Sequence, residues 1–289
     1  MKLELNRQEF LKAWQMAERS SSSKGTVGAA SGILITAGEE TTLEATDYKT
    51  AIRCSAAGVR TLAPGSAILP VRLFGDFLKK LPTEAVVLEI EGEHGTLVAG
   101  RNRTRFTTAP VSDFPNIPRS DGGTALCSLL ATDLARVIAE GSIASSTPAE
   151  VPLYLGSCLL RVKDGLLKAV STDGKRLSLS QCPCETEADE ELLLRISALK
   201  ELSRLLVGSG AEDRVEVLQD GSTAWFRIEG ARARRRWSSP SGAWSPPFRT
   251  TRRFSPPMSS RRCASHERSF CPRWSALTSS PGTPWPIWW

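Results

Sequence analysis

GILITAGEETTLEATD occupies residues 32–47 and CLLRVKDGLLKAVSTD occupies residues 158–173. The two stretches have the same length, open on paired apolar residues and close on Thr-Asp, so Thr46-Asp47 returns as Thr172-Asp173 after a shift of about 125 residues. The repeat extends outward on both sides. Before each copy lies an amphipathic segment, QEFLKAWQMAE from Gln8 and TDLARVIAEGS from Thr132, the second opening on a threonine able to cap a helix. After each copy lies another. In PVRLFGDFLKKL, Val71, Phe74, Phe77, Leu78 and Leu81 fall on one helical face, and Ile196, Leu199, Leu202, Leu205 and Leu206 answer them in the second copy. Strand-like alternations close each copy: AVVLEIEGEHGTLVAG at 85–100, and RVEVLQDGSTAWFRIEG at 214–230, where Asp220-Gly221 is a hairpin signal. The expected fold class is α+β, two tandem helix/antiparallel-sheet units at 1–120 and 121–230.

Charge separates the rest of the chain from these units. Up to Gly230 there are 26 Lys+Arg against 30 Asp+Glu, a net charge of −4, whereas residues 231–289 hold 11 Arg, no Lys and one acid, Glu267. Six of the eight Trp and half of the 18 Pro lie in that last segment, which has no period of 2 or 3.6. No run up to Gly230 approaches the ~20 apolar residues of a membrane span, and MKLELNRQEF is not a signal peptide, so the expected location is cytoplasmic. Cys54, Cys127, Cys158, Cys182 and Cys184 form no disulfide framework. Cys182-Pro183-Cys184 lacks the spacing and the partners of a zinc site in a chain with only His94 and His266, so no metal or other cofactor is expected.

The units carry motifs that go beyond their periodicity: PVRLFGDFLKKLP after an extended strand, VSDFPNIP at 111–118, LYLGSCLL at 153–160 and VSTDGKRLSLS at 170–180. In order and spacing they resemble the β subunit of bacterial DNA polymerase III, the sliding clamp. That family has three such units per chain, so the resemblance covers the first two and stops near residue 230. It implies a non-catalytic processivity factor whose two chains close head to tail around double-stranded DNA. Its implied partners are the polymerase III alpha subunit, the clamp loader and other proteins bearing clamp-binding motifs.

STDGKR, on its residues alone, is a hairpin turn leading into an alternating strand, Lys175 to Leu179. It offers neither a Gly-rich loop opening a helix nor clustered carboxylates for Mg²⁺. The resemblance adds a docking role: Leu155, Thr172, Gly174, Lys175, Arg176 and Leu177 match one wall of the groove that takes linear peptide motifs. Lys175 stands where the family commonly has His, and the wall supplied by the third unit is not recognisable. DNA would be held without sequence readout, through phosphates, by Arg7, Lys12, Lys79, Lys80, Arg136, Lys200 and Arg204 on the helices. Lys24 in SSSSKG and Tyr154 match loop positions that touch DNA in the family, although Pro152 and Leu153 lack the polar or aromatic character often found beside the latter. Arg103, Arg105 and Phe106 match the edge strand of the dimer interface.

An out-of-frame reading from about Ala231–Trp237 is expected to account for the tail. Read one nucleotide earlier, each new codon takes its last two bases from the first two of the present one, and FPDYQALLP can be read within PFRTTRRFSP (247–256), close to a segment found after the second unit in the family. The tail as it stands is expected to be disordered. A nucleic-acid-binding role for this Arg- and Trp-rich segment is the alternative function. An enzyme using Asp47 and Asp173 would need them at one site, whereas they hold equivalent points of two units.

Overall fold

KLELN alternates, and it forms the first strand, β1 (Lys2–Asn6), with Leu3 and Leu5 buried. The Asn6 side chain then accepts the backbone N–H groups of Gln8 and Glu9 at 3.1 and 3.2 Å, opening α1 (Arg7–Glu18). The computed structural model describes residues 1–21, 31–146, 152–221 and 223–229, with the backbone of 235–239, all within one compact unit, Met1–Ala243. After α1 come β2 (Gly32–Ala37), β3 (Thr41–Thr46), β4 (Ala51–Ser55), β5 (Val59–Ala63) and β6 (Gly65–Pro70). The chain continues through α2 (Val71–Lys80), β7 (Ala85–Glu91), β8 (His94–Ala99) and β9 (Asn102–Thr107). The same progression resumes with β10 (Thr124–Leu130), α3 (Ala131–Gly141), β11 (Ser157–Lys163), β12 (Leu166–Thr172), β13 (Leu177–Pro183), β14 (Glu190–Arg195) and α4 (Ile196–Leu206). β15 (Arg214–Asp220), β16 (Thr223–Glu229) and β17 (Arg235–Ser239) complete it.

Among the described residues every strand pairing is antiparallel, and the strands form three sheets: β5-β1-β7-β8-β9, β13-β12-β11-β14, and an eight-stranded sheet β10-β15-β16-β17-β4-β3-β2-β6. Two apolar cores lie behind them. The first gathers Trp14, Phe10, Phe74 and Phe106, with the Trp14 and Phe74 rings 4.7 Å apart and Phe74 edge-on to Phe106 at 5.8 Å. The second gathers Leu134, Val137 and Ile138 of α3 with Leu199, Leu202 and Leu206 of α4 and the inner faces of β11, β12, β15 and β16. Ile52 of β4 belongs to this second core, and Met16 packs against both.

The structure changes several expectations. A strand, not a helix, leads each progression, because KLELN and TALCSLL alternate too briefly to stand out beside the helices they precede. Thr132 does not cap α3: β10 runs straight into the helix at Leu130, and Ala131 N–H donates to Asp213 O at 2.8 Å instead. Lys175 and Arg176 belong to the turn, and the strand starts only at Leu177. The tail segment 235–239, where the sequence shows no strand period, is β17, which fills the place between β16 and β4.

Candidate docking surface and nucleic-acid face

The turn between β12 and β13 is built by its own side chains. Asp173 Oδ1 accepts the backbone N–H groups of Lys175 and Arg176 at 3.0 and 2.9 Å, and Oδ2 accepts from Arg176 Nε at 2.9 Å. The backbone N–H of Arg176, then that of Lys175, then the Arg176 guanidinium hold the Asp173 carboxyl well below the usual carboxylate range. Thr172 Oγ1 donates to Arg176 O at 2.7 Å and accepts from Gly174 N–H at 3.1 Å. Gly174 sits at φ +86°.

The turn between β3 and β4 repeats the backbone bonds of this scheme, while the Thr50 hydroxyl, donating to Asp47 Oδ1 at 3.0 Å, stands where Arg176 pairs with Asp173. Asp47 Oδ1 accepts from Lys49 N–H at 2.9 Å and Thr50 N–H at 2.6 Å, while Thr46 Oγ1 donates to Thr50 O at 2.9 Å and accepts from Tyr48 N–H at 3.0 Å. Tyr48 thereby occupies the Gly174 position at φ +67°, with its side chain 64% exposed. The Thr-Asp repeat is visible in the sequence as a marker of register; that it also builds two turns on one backbone scheme is visible only in the structure.

β13 leaves the second turn as the edge of its sheet. Leu177 and Leu179 stand on one face, 60% and 49% exposed, and the register continues Leu179 through Val170 and Leu159 to Leu193 as one apolar row. Leu155 is half-buried beside the end of α3, its carbonyl accepting from Ser146 N–H at 2.8 Å. Ser178, on the opposite face of β13, donates to Gly141 O at 2.8 Å and fixes the strand against α3. Thus Thr172, Gly174, Lys175, Arg176 and Leu177 fall on one turn and strand start, and Leu155 on a neighbouring segment.

The basic residues differ from one another in what they touch. Lys12, Lys80 and Lys200 are exposed and make no ion pair among the described residues. Lys79 approaches Glu18 at 3.8 Å, Arg136 pairs with Asp133 and Glu140, and Arg204 pairs with Glu201, all on the surface, where such pairs contribute little. Arg7 turns inward enough to donate to Leu78 O at 3.4 Å. Tyr154 is exposed beside Leu155, and Lys24 lies outside the described residues. Arg103 and Arg105 project from β9, the edge of the five-stranded sheet, but Phe106 does not join them: it is 6% exposed, packed on Phe74 in the core. The thiols are structural. Burial pushes Cys158 and Cys182 up to about 12 and raises Cys127 and Cys184 as well, which disfavours the thiolate a metal or a nucleophile would need.

Residues 1–118 match the family model described as the DNA polymerase III beta subunit, N-terminal domain. A beta sliding clamp of Pseudomonas putida is 30% identical over 210 residues, 71% of this chain and 57% of that protein. Over these residues the chain is similar to DNA polymerase III beta subunits. The Escherichia coli beta sliding clamp is 26% identical over 220 residues, 75% of this chain and 60% of its own length. The chain thus spans about three fifths of the curated beta-subunit relatives it matches. Its fold is that of the beta-subunit structures: one from Pseudomonas aeruginosa superposes with a TM-score of 0.75 at 23% identity, covering 86% of this chain and 66% of that one. A Bacillus subtilis sliding clamp gives a TM-score of 0.76 at 20% identity, with 86% and 67% covered.

Proposed function

We propose that this chain is the first two thirds of a DNA sliding clamp, a non-catalytic processivity factor of the bacterial replicative polymerase acting in the cytoplasm. Residues 1–120 and 121–230 are its first two domains, and the segment from 231 onward is the approach to the third domain, translated out of frame. The observation that carries this reading is the paired Thr-Asp turn. Each turn feeds a strand at the same place in its sheet, β4 next to β3 and β2, β13 next to β12 and β11. β4 receives a further strand on its outer edge, whereas β13 has none among the described residues. By the logic of the repeat, a third unit belongs against β13, and the exposed Leu177 and Leu179 are the surface it leaves uncovered.

Leu155, Thr172, Gly174, Lys175, Arg176 and Leu177 then form one wall of a groove for linear motifs of the polymerase alpha subunit, the clamp loader and other clamp-binding proteins. Arg7, Lys12, Lys24, Lys79, Lys80, Arg136, Tyr154, Lys200 and Arg204 contact double-stranded DNA through its backbone. Arg103 and Arg105 serve a homodimer interface in a complete clamp, with Phe106 supporting that edge from inside.

Peptide anchors gain roughly 25 cal/mol per Å² of apolar area removed from water, and half a groove leaves them partly wet. A fluorescent clamp-binding peptide is therefore expected to bind this chain at least about tenfold more weakly than a frame-restored chain, roughly 1.4 kcal/mol. Equal affinities would place the groove elsewhere. In the restored chain, Leu155→Ala or Leu177→Ala should weaken the peptide. A ring-sized dimer of the present chain that is retained on circular DNA and lost on linear DNA would contradict its incompleteness.

A further inference from the structure

The strand slot between β4 and β16 is filled by residues that do not suit it. The register places position 236 between Arg53 of β4 and Arg227 of β16. Continuing outward, Arg53 lies opposite Glu44 and Arg227 opposite Glu216. One row across five strands therefore reads Glu44, Arg53, Arg236, Arg227, Glu216, with three arginines side by side. Like charges directly opposite each other destabilise a sheet, and this row places them opposite each other twice. Both flanking arginines are largely covered, their side chains 18% and 22% exposed, so a like charge at the position between them would be poorly screened. Arg53 is held by Glu44 at 2.9 Å and Arg227 by Glu216 at 2.6 Å, yet Arg227 Nε is buried with no acceptor among the described residues. The neighbouring position 235 falls between Ile228 and Cys54, both buried apolar residues, and again the sequence supplies arginine. Position 237 falls between Phe226 and Ile52, both buried apolar residues.

We propose that this slot is built for an extended segment with an acidic residue between Arg53 and Arg227, flanked on each side by an apolar residue, and that its intended occupant is the in-frame version of residues 235–237. This deepens the out-of-frame reading given above and rests on it for the identity of the occupant. An acid at 236 turns the row into strict alternation, Glu-Arg-Glu-Arg-Glu, and supplies an acceptor beside Arg227 Nε. The genetic code permits the segment. Read one nucleotide earlier, each arginine codon becomes Ala, Ser, Thr or Pro, or Glu, Gln or Lys, and the tryptophan codon becomes Leu, Met or Val. Ala-Glu-Val is among the products.

Hydrogen exchange on the full chain tests the slot directly, read on the peptides covering β4 and β16. R236E should slow exchange there at least about tenfold relative to the unsubstituted chain, R236A should give a smaller gain, and R236K none. R235V combined with R236E should exceed either alone. Exchange in R236E as fast as in the unsubstituted chain, or equal protection in R236A and R236E, would overturn the preference for an acid. Resequencing codons 228–289 tests the frame separately: a gene that encodes the present tail without a shift ends the assignment of the occupant, while the exchange result still decides what the slot prefers.

Discussion

Tyr48 and Gly174 occupy one backbone position in two copies of the same turn, and only one of them is suited to it. A left-handed backbone costs a residue with a Cβ roughly 1–2 kcal/mol, whereas glycine adopts it freely and loses more entropy on folding. Tyr48→Gly should therefore raise stability, by up to about 1 kcal/mol in urea unfolding. Gly174→Ala, which meets no atom within 4 Å of its new Cβ, should lower it by about 1 kcal/mol through conformation alone. Opposite signs at equivalent positions are the test, and equal signs would show that the turns are not equivalent. Asp173 adds a pH signature. Its carboxyl is held low by the turn's N–H groups, so its contribution is complete above the unfolded value of about 3.9 and fades as pH falls below it. The difference in urea midpoint between the unsubstituted chain and Asp173→Asn should be constant from about pH 5 to 7 and shrink below about pH 4. A difference independent of pH would mean that the turn does not hold the Asp173 carboxyl below its unfolded value.

Helix α3 ends on Gly141 for a reason of packing. A Cβ built there would stand 2.5 Å from the Ala169 Cβ and 2.7 Å from the Ala169 carbonyl oxygen on β12. Helix propensity favours alanine by about 1 kcal/mol, but overpacking against backbone costs about 1–3 kcal/mol, so the clash prevails. Gly141→Ala should destabilise, and because Gly141 O accepts the Ser178 hydroxyl, the same change should loosen β13 and speed its hydrogen exchange. The four α-helices among the described residues were legible in the sequence because a wide apolar face at period 3.6 is hard to mistake, and all five leucines and isoleucines assigned to α4 are buried. β1 and β10 were not, since five to seven residues of alternation carry less signal than the helix after them. Of the docking wall, the turn could be placed from Thr-Asp-Gly, but its start in a fixed loop rather than a strand depends on Asp173 bonding its own backbone. The burial of Phe106 on Phe74 was not legible, because the resemblance that singled it out names a position on the edge strand and not the direction of its side chain. β17 was invisible because its strand state comes from two waiting neighbours, and its residues argue against it.

At the scale of the whole molecule, the open edge of β13 governs how the chain behaves in solution. An exposed edge strand carrying Leu177 and Leu179 is a template for another chain. Leu179→Lys should reduce concentration-dependent association in sedimentation; association that persists unchanged would place the sticky surface elsewhere. The eight-stranded sheet has a consequence in time as well. β4 ends at Ser55, but the strand that covers its edge begins only at Arg235, about 180 residues later. At ~5–20 residues per second of synthesis, β4 waits roughly 10–40 s on the ribosome with one side uncovered. The nascent chain is therefore born with an unpaired edge at β4, and a factor that shields extended backbone during translation would act on it in that interval.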